Sequence, residues 1–344
     1  MDVQSRGANN ASDASKGEDT KTIVVDMSTR ELLAKYGVPL DSAGTCAIES
    51  LKARHVAYLA SDKYLAKLVS NESAYVLVYH EILPQAQRIP GNVYVETKDP
   101  TAAFVQIHNS FHRDLRSCTD GEYKPATGKG CVISSTARFG KNVVLGDRVV
   151  IHPNVVIGSD VRIGDDTEVL PSATIQDRTT LGRRCIVESN ACIGGDGFRI
   201  VRDEDGRNHR LVHLGGVVFG DDVEFGNCSC VDRGSFGNTV LGDRVKIDNL
   251  VHIGHNAQIG EDTQIAASSC IGGSTVIGKN CWVGIGATVS NGLRIGDRAS
   301  VLINAVVTRD VPEGTTVAGV YAMPNDVWRL VMKDRVKRFM SDTQ

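Results

Sequence analysis

Between Ile247 and Ile277 an aliphatic side chain returns at every sixth position, as Ile247, Ile253, Ile259, Ile265, Ile271 and Ile277. The residue that follows it is Asp, Gly or Ala, and the fifth residue of each unit is Val, Ala, Thr or Ser. An α-helix turns once every ~3.6 residues, so a period of six would scatter these side chains around its surface. A short strand closed by a tight turn keeps them on one side. Stacked, such units make a parallel coil whose aliphatic residues point into the stack.

The same period starts at Ile133 and runs without a slip through Phe139, Leu145 and Ile151 to Ile193. It breaks at Gly194, where GGDGFRIVRDEDGRNHRLVHLGGVV intervenes, and resumes at Phe219, Phe225 and Val231. A shorter interruption, DRGSFGNTV, precedes a restart at Leu241 that holds to Val307. Insertions in repeat folds loop out from one face and often build the binding surface. The insertion 194–218 is therefore the loop expected to carry function.

Upstream the pattern changes. MSTRELLAKYG reads as a helix capped at Ser28 and ended by Gly37. HVAYLA, AYVLVYH and GNVYVET read as strands, with helix-like SDKYLAKLVSN and DPTAAFVQIHNSFHR around them. The expected organisation is a disordered polar tail over 1–21, a small α/β domain over 22–113 and a linker over 114–130. The coil follows over 131–311, and a C-terminal helical extension over 312–344 is placed to cap the end of the stack.

Composition narrows the class. With 38 Lys+Arg against 41 Asp+Glu, bulk charge argues for neither nucleic acid nor a membrane surface as partner. No apolar run approaches the ~20 residues of a membrane-spanning helix, and the N-terminus lacks the apolar core of a signal peptide. A cytoplasmic protein is the expectation. The nine cysteines lie mostly inside repeat units and read as small apolar fillers; Cys228 and Cys230 lack zinc-type spacing, so no metal is expected.

Within the opening stretch, Asp248, His252 and His255 cluster on an otherwise simple wall. From spacing alone, His255 is as readily an exposed corner residue as a catalytic one, and His252 reads first as a solvated wall residue. Tyr58 and Tyr64 can equally be core aromatics, Asp196 and Phe198 turn chemistry, and His209 and His213 ordinary loop residues.

The hexapeptide run resembles the left-handed parallel β-helix acyltransferases. The ordered set IGGDGF, VDRGSF, TVLGDRVKIDN, VHIGHN and GVYAMPNDVWR narrows the resemblance to the UDP-3-O-acylglucosamine N-acyltransferases of lipid A synthesis, over residues 45 to 335 or so. That resemblance implies a mainly β fold: a left-handed parallel β-helix, a small N-terminal α/β domain that binds uridine, and a C-terminal helix. It implies transfer of a 3-hydroxyacyl group from acyl carrier protein to the 2-amino group of a UDP-sugar, by a homotrimer with no bound cofactor. His255 would be the general base, Asp248 its carboxylate partner, and the Gly273 amide the oxyanion donor. Tyr58 and Tyr64 would sandwich the uracil, with Ser61 where the family often has Asn. Asp196 and Phe198, by their place at the start of the insertion, and His252, beside its guide residue, are further candidates for substrate contact. The chain departs from the family at Gly292, where a Gly-His pair is expected. These departures leave two alternatives, a CoA-dependent acetyltransferase acting on another nucleotide sugar and a non-catalytic nucleotide-sugar-binding paralogue.

Overall fold

A computed structural model describes residues 27–71, 73–112, 123–203, 205–319 and 324–341. The tail expected over 1–21 lies outside the described residues, as do residues 114–122 of the linker.

The period of six becomes a three-sided coil. Successive strands visit three parallel sheets in turn, a first face of nine strands, a second of ten and a third of nine. Each strand pairs in register with the one a full coil later, as Ile253 does with Ile271 and Ile259 with Ile277. The guide residues fill the interior, and Ile157, Ile175, Val187, Ile253 and Ile271 are fully buried. Fifth-position residues complete the layer: Thr263 and Thr275 are also fully buried, and their hydroxyls donate to the carbonyls of Gly278 and Ser290.

Most corners are turned by a residue in the left-handed region, recurring every six positions as in Asn256, Asp262, Ser268, Ser274 and Asn280, with φ between 54° and 62°. Gly292 falls on this series with φ +72°. The unexpected glycine thus sits where a left-handed turn costs glycine least. Corner side chains also tie coil to coil, since Asp147, Asp165, Asp177, Asp243 and Asp297 each accept a backbone N–H from the coil before.

The small domain holds a four-stranded parallel sheet, β1 (Gly44–Thr45), β2 (His55–Leu59), β3 (Ala74–Val78) and β4 (Asn92–Glu96). Among its helices are α1 (Met27–Lys35), the single turn α2 (Leu83–Ala86) and α3 (Pro100–Phe111). Asp99 caps α3, accepting from the amides of Thr101 and Ala102. Phe104 and Ile107 of α3 pack with Val56, Leu77 and, from the insertion, Leu211. The insertion is thereby part of the small domain's core.

Two expectations are corrected. Helix α4 (Asn325–Ser341) forms, but Val327, Trp328, Leu330 and Val336 are exposed, so this helix does not bury an apolar face against the stack. Of the cysteines, Cys185 and Cys281 are interior fillers, whereas Cys192 and Cys230 stand on adjacent rungs of the third face and Cys270 two rungs beyond Cys230, past His252, each one residue before its guide. That offset points them outward.

Candidate active site

His255 lies where the chain leaves the third face for the first, two residues past Ile253. The next coil passes directly over it. A Cβ built at Gly273 would lie 2.6 Å from the His255 Cε1 and 2.8 Å from Nδ1, so the imidazole occupies space that any side chain at Gly273 would claim. A Cβ at Gly197 of the insertion would lie 2.7 Å from the His255 Cβ and 2.8 Å from the Nε2 of His213. Two glycines from remote parts of the chain therefore make the slot for one ring.

His213 closes the slot. It is 1 % exposed, and its ring meets that of His255 edge to face, with centroids 5.3 Å apart and planes at 74°. Its Nδ1 faces the Leu211 carbonyl at 3.0 Å. A carbonyl only accepts, so Nδ1 carries the proton and Nε2 keeps a lone pair; that buried atom has no hydrogen-bond partner among the described residues. Burial pushes the His213 pKa down to about 4, with His255 adding to the effect. Burial also lowers the pKa of His255, helped by the positive charge of Arg199 and by His252. Both rings are neutral near pH 7, the state in which an imidazole can take a proton.

The insertion is held where it can do this. Its antiparallel strands, Ile200–Arg202 and Asn208–Arg210, lie against α3: the Asn109 amide donates to the Arg210 carbonyl at 2.7 Å, and the Val212 N–H returns a bond to Asn109 at 3.1 Å. Buried His108 donates to the Val212 carbonyl and takes the Thr45 hydroxyl on its other nitrogen, at 2.8 and 2.6 Å. The second interruption joins in through Phe236, which packs on Phe104 and His108.

The remaining sequence-predicted residues divide. Gly273 is beside His255, but its N–H donates to Asn291 Oδ1 at 2.9 Å, one more of the corner ties that run up the coil. An oxyanion at this amide has to share it with Asn291 or displace that side chain. Asp248 is at a different corner, between the second and third faces, where its carboxylate accepts from the amides of Asn249 and Ala267. It does not meet His255 of its own chain. His252 faces outward, 3.2 Å from Cys230 Sγ and 3.9 Å from a carboxylate oxygen of Asp232. Asp196 approaches Arg233 at 3.7 Å, and Phe198 is 80 % exposed with the Arg210 guanidinium over its ring. In the small domain, Tyr58 is packed on Phe104 with centroids 4.7 Å apart, so one face of this ring is already covered. Ser61 caps the 3-10 helix Asp62–Lys67, and Tyr64 on that helix is half exposed.

His213, Arg199, Asp232 and Asn291 are site residues that sequence reasoning missed. Burial and the nearby Asp196 raise the Asp232 pKa to about 7, against the pull of Arg210. Its place in VDRGSF was the signal available. Among the described residues no group of three or more His, Cys, Asp or Glu side chains is arranged to hold a metal, and no helix is long and apolar enough to cross a membrane.

Residues 238–273 match the bacterial transferase hexapeptide (six repeats) family. That segment carries Asp248, His255 and Gly273, so coil and site together define a hexapeptide-repeat transferase. The UDP-3-O-acylglucosamine N-acyltransferase of Chromohalobacter salexigens is 44% identical over 46% of this chain and 46% of its own; the chain spans about half the length of that relative. The enzyme of the same name from Coxiella burnetii (strain Dugway 5J108-111) is 36% identical over 67% of this chain and 70% of its own. Among solved structures, a UDP-N-acetylglucosamine acyltransferase of Francisella novicida aligns with a TM-score of 0.47 at 26% identity, over 56% of this chain and 67% of that one. On the Coxiella match the chain belongs to the UDP-3-O-acylglucosamine N-acyltransferase family.

Proposed function

We propose that this protein moves a 3-hydroxyacyl group from acyl carrier protein to the 2-amino group of UDP-3-O-acylglucosamine, with His255 as general base. The observation that carries the reading is the His255 ring, neutral, half-buried and held between Gly197 and Gly273. An amine attacking a thioester must shed a proton as the new N–C bond forms, and a positioned neutral imidazole accepts it. The thiolate leaves with the electron pair of the broken C–S bond and takes up a proton.

Asp248 supports His255 from a neighbouring subunit. Its own corner of the triangle is not the His255 corner, and a threefold assembly brings unlike corners of adjacent coils together. Ile285 and Ile303, exposed one and two coils past Ala267 at the Asp248 corner, give that contact an apolar centre. The Gly273 amide takes the oxyanion as Asn291 yields it. Tyr64 and Tyr58 take the uracil. Exposed basic residues on α4, Arg329, Lys333, Arg335 and Lys337, suit an acidic carrier protein.

The test is mass detection of product from purified protein, UDP-3-O-(3-hydroxyacyl)glucosamine and either acyl carrier protein thioesters or acetyl-CoA. Product from a carrier-bound chain, lost in His255→Ala, is expected. Product only from acetyl-CoA, or full turnover by a folded His255→Ala protein, overturns the reading.

A further inference from the structure

Two guanidinium groups flank the turn that touches His255. Arg199 follows Gly197 by two residues, its amide closing the turn on the Gly197 carbonyl at 3.2 Å. Its side chain runs the other way, donating to the Tyr58 hydroxyl and lying 5.9 Å from that ring's centroid. Arg210 comes from the second strand of the insertion and donates to the same Gly197 carbonyl at 2.9 Å.

Elsewhere in this molecule three arginines at the coil corners are matched by carboxylates, Arg148 by Asp166, Arg184 by Asp222 and Arg244 by Asp262. Among the described residues neither Arg199 nor Arg210 has a carboxylate within ion-pair distance. Arg199 is only partly exposed, and its hydrogen-bonded partner, a phenol, leaves its charge uncompensated. An unmatched, partly desolvated cation is costly unless a ligand supplies the anion.

The position indicates which anion. Along the path from the small domain to the coil come Tyr58, then Arg199, then Gly197, then His255. A nucleoside diphosphate sugar has the same order: base, two phosphates, sugar. We propose that Arg199, seconded by Arg210, is the binding site for the diphosphate of the acceptor, joining the base pocket to the catalytic corner. The inference deepens the acyltransferase reading and rests on it. A planar guanidinium offers paired donors to phosphate oxygens, which a lysine cannot match. The charge of Arg199 also depresses the basicity of His255, and a bound diphosphate would relieve that, so the base is strongest when the acceptor is in place.

The experiment is calorimetric titration of the full chain with uridine, UMP and UDP, for wild type, Arg199→Ala, Arg199→Gln and Arg210→Ala, with the fold checked by circular dichroism. Wild type should bind UDP more tightly than uridine. Arg199→Ala should weaken UDP by at least about tenfold, the equivalent of one lost charge-assisted contact, and leave uridine unchanged. Arg199→Gln should behave alike and serves if the alanine variant misfolds; Arg210→Ala should lose less. Undiminished UDP binding in both Arg199 variants overturns the proposal. So does a parallel loss of uridine and UDP, which would make Arg199 only a prop for Tyr58. His255→Ala should bind UDP normally while losing turnover, so failure of the diphosphate site and failure of the base assignment are read separately. A wild-type protein that binds no nucleotide overturns both.

Discussion

The His255 ring lies on the backbone of Gly273, so close that a methyl group there would stand 2.6 Å from Cε1 and 3.1 Å from Nε2. The pairing follows from coil geometry, since residues eighteen apart stack, and the Ser274 N–H donates to the His255 carbonyl at 2.7 Å. The relationship makes the proposed base exceptionally sensitive to the smallest possible change one coil away.

Gly273→Ala should therefore displace the imidazole without unfolding the coil. Misplacing a catalytic group by about 1 Å costs ~10²-fold in rate, so kcat should fall by about two orders of magnitude with little change in Tm. Steady-state kinetics beside a thermal melt checks this. An alanine variant with wild-type kcat would show that the ring's place is unimportant.

His255→Ala removes the proposed proton acceptor itself. General-base catalysis contributes ~10²–10⁴-fold, and kcat should drop by that much while circular dichroism is unchanged. His213, its pKa pushed down to about 4 by burial, is too weak a base to take over the proton at neutral pH.

Asp248 and His255 occupy different corners of one chain, and the proposed site joins them across subunits. Single variants Asp248→Ala and His255→Ala should each be impaired. Unfolding and refolding the two together should restore activity at roughly a quarter of the sites, where random threefold assembly pairs an intact Asp with an intact His. No recovery on co-refolding, with mixed trimers verified by mass spectrometry, would remove Asp248 from the shared site.

Acid should loosen the junction of small domain and coil. His108 and His213 are buried with pKa values pushed down to about 4, whereas in the unfolded chain they titrate near 6.5. As pH falls from about 6.5 to about 4 the unfolded state binds protons that the folded state refuses, so stability falls by up to roughly 3 kcal/mol per ring. Asp232 works in the opposite sense. Raised to about 7 when folded, it holds a proton that the unfolded chain has released, and so favours folding as pH drops below 7. The melting temperature should decline between pH 6.5 and 4, less steeply in His213→Gln and more steeply in Asp232→Asn. Identical profiles in all three proteins would contradict these assignments.

The coil was legible because its signal repeats: one guide residue per six fixes period, register and interior together. His255, Asp248 and Gly273 were singled out on the family resemblance, and because they lie within unbroken repeats their positions in the chain map directly to positions in space. His213 was not. It reaches His255 from 42 positions away only because the insertion folds back over the coil, a path set by Asn109, His108 and Leu211. Arg199 escaped for the same reason. Tyr58 was singled out as an aromatic platform, but the sequence does not show that Phe104 covers one side of it. Helix α4 was read correctly as an element and misplaced as a cap, because amphipathic spacing says nothing about which surface a helix meets.

The insertion has one more consequence. The coil is a rigid rail with a fixed pitch, and the small domain is fastened to it by the same loop that flanks the base. On the proposed function that loop acts as a caliper, setting the gap between the jaw that would grip the nucleotide and the jaw that would handle the amine. Acceptors of another length could be fitted by adding or removing residues between Gly194 and Val218, while every coil above and below kept its sequence.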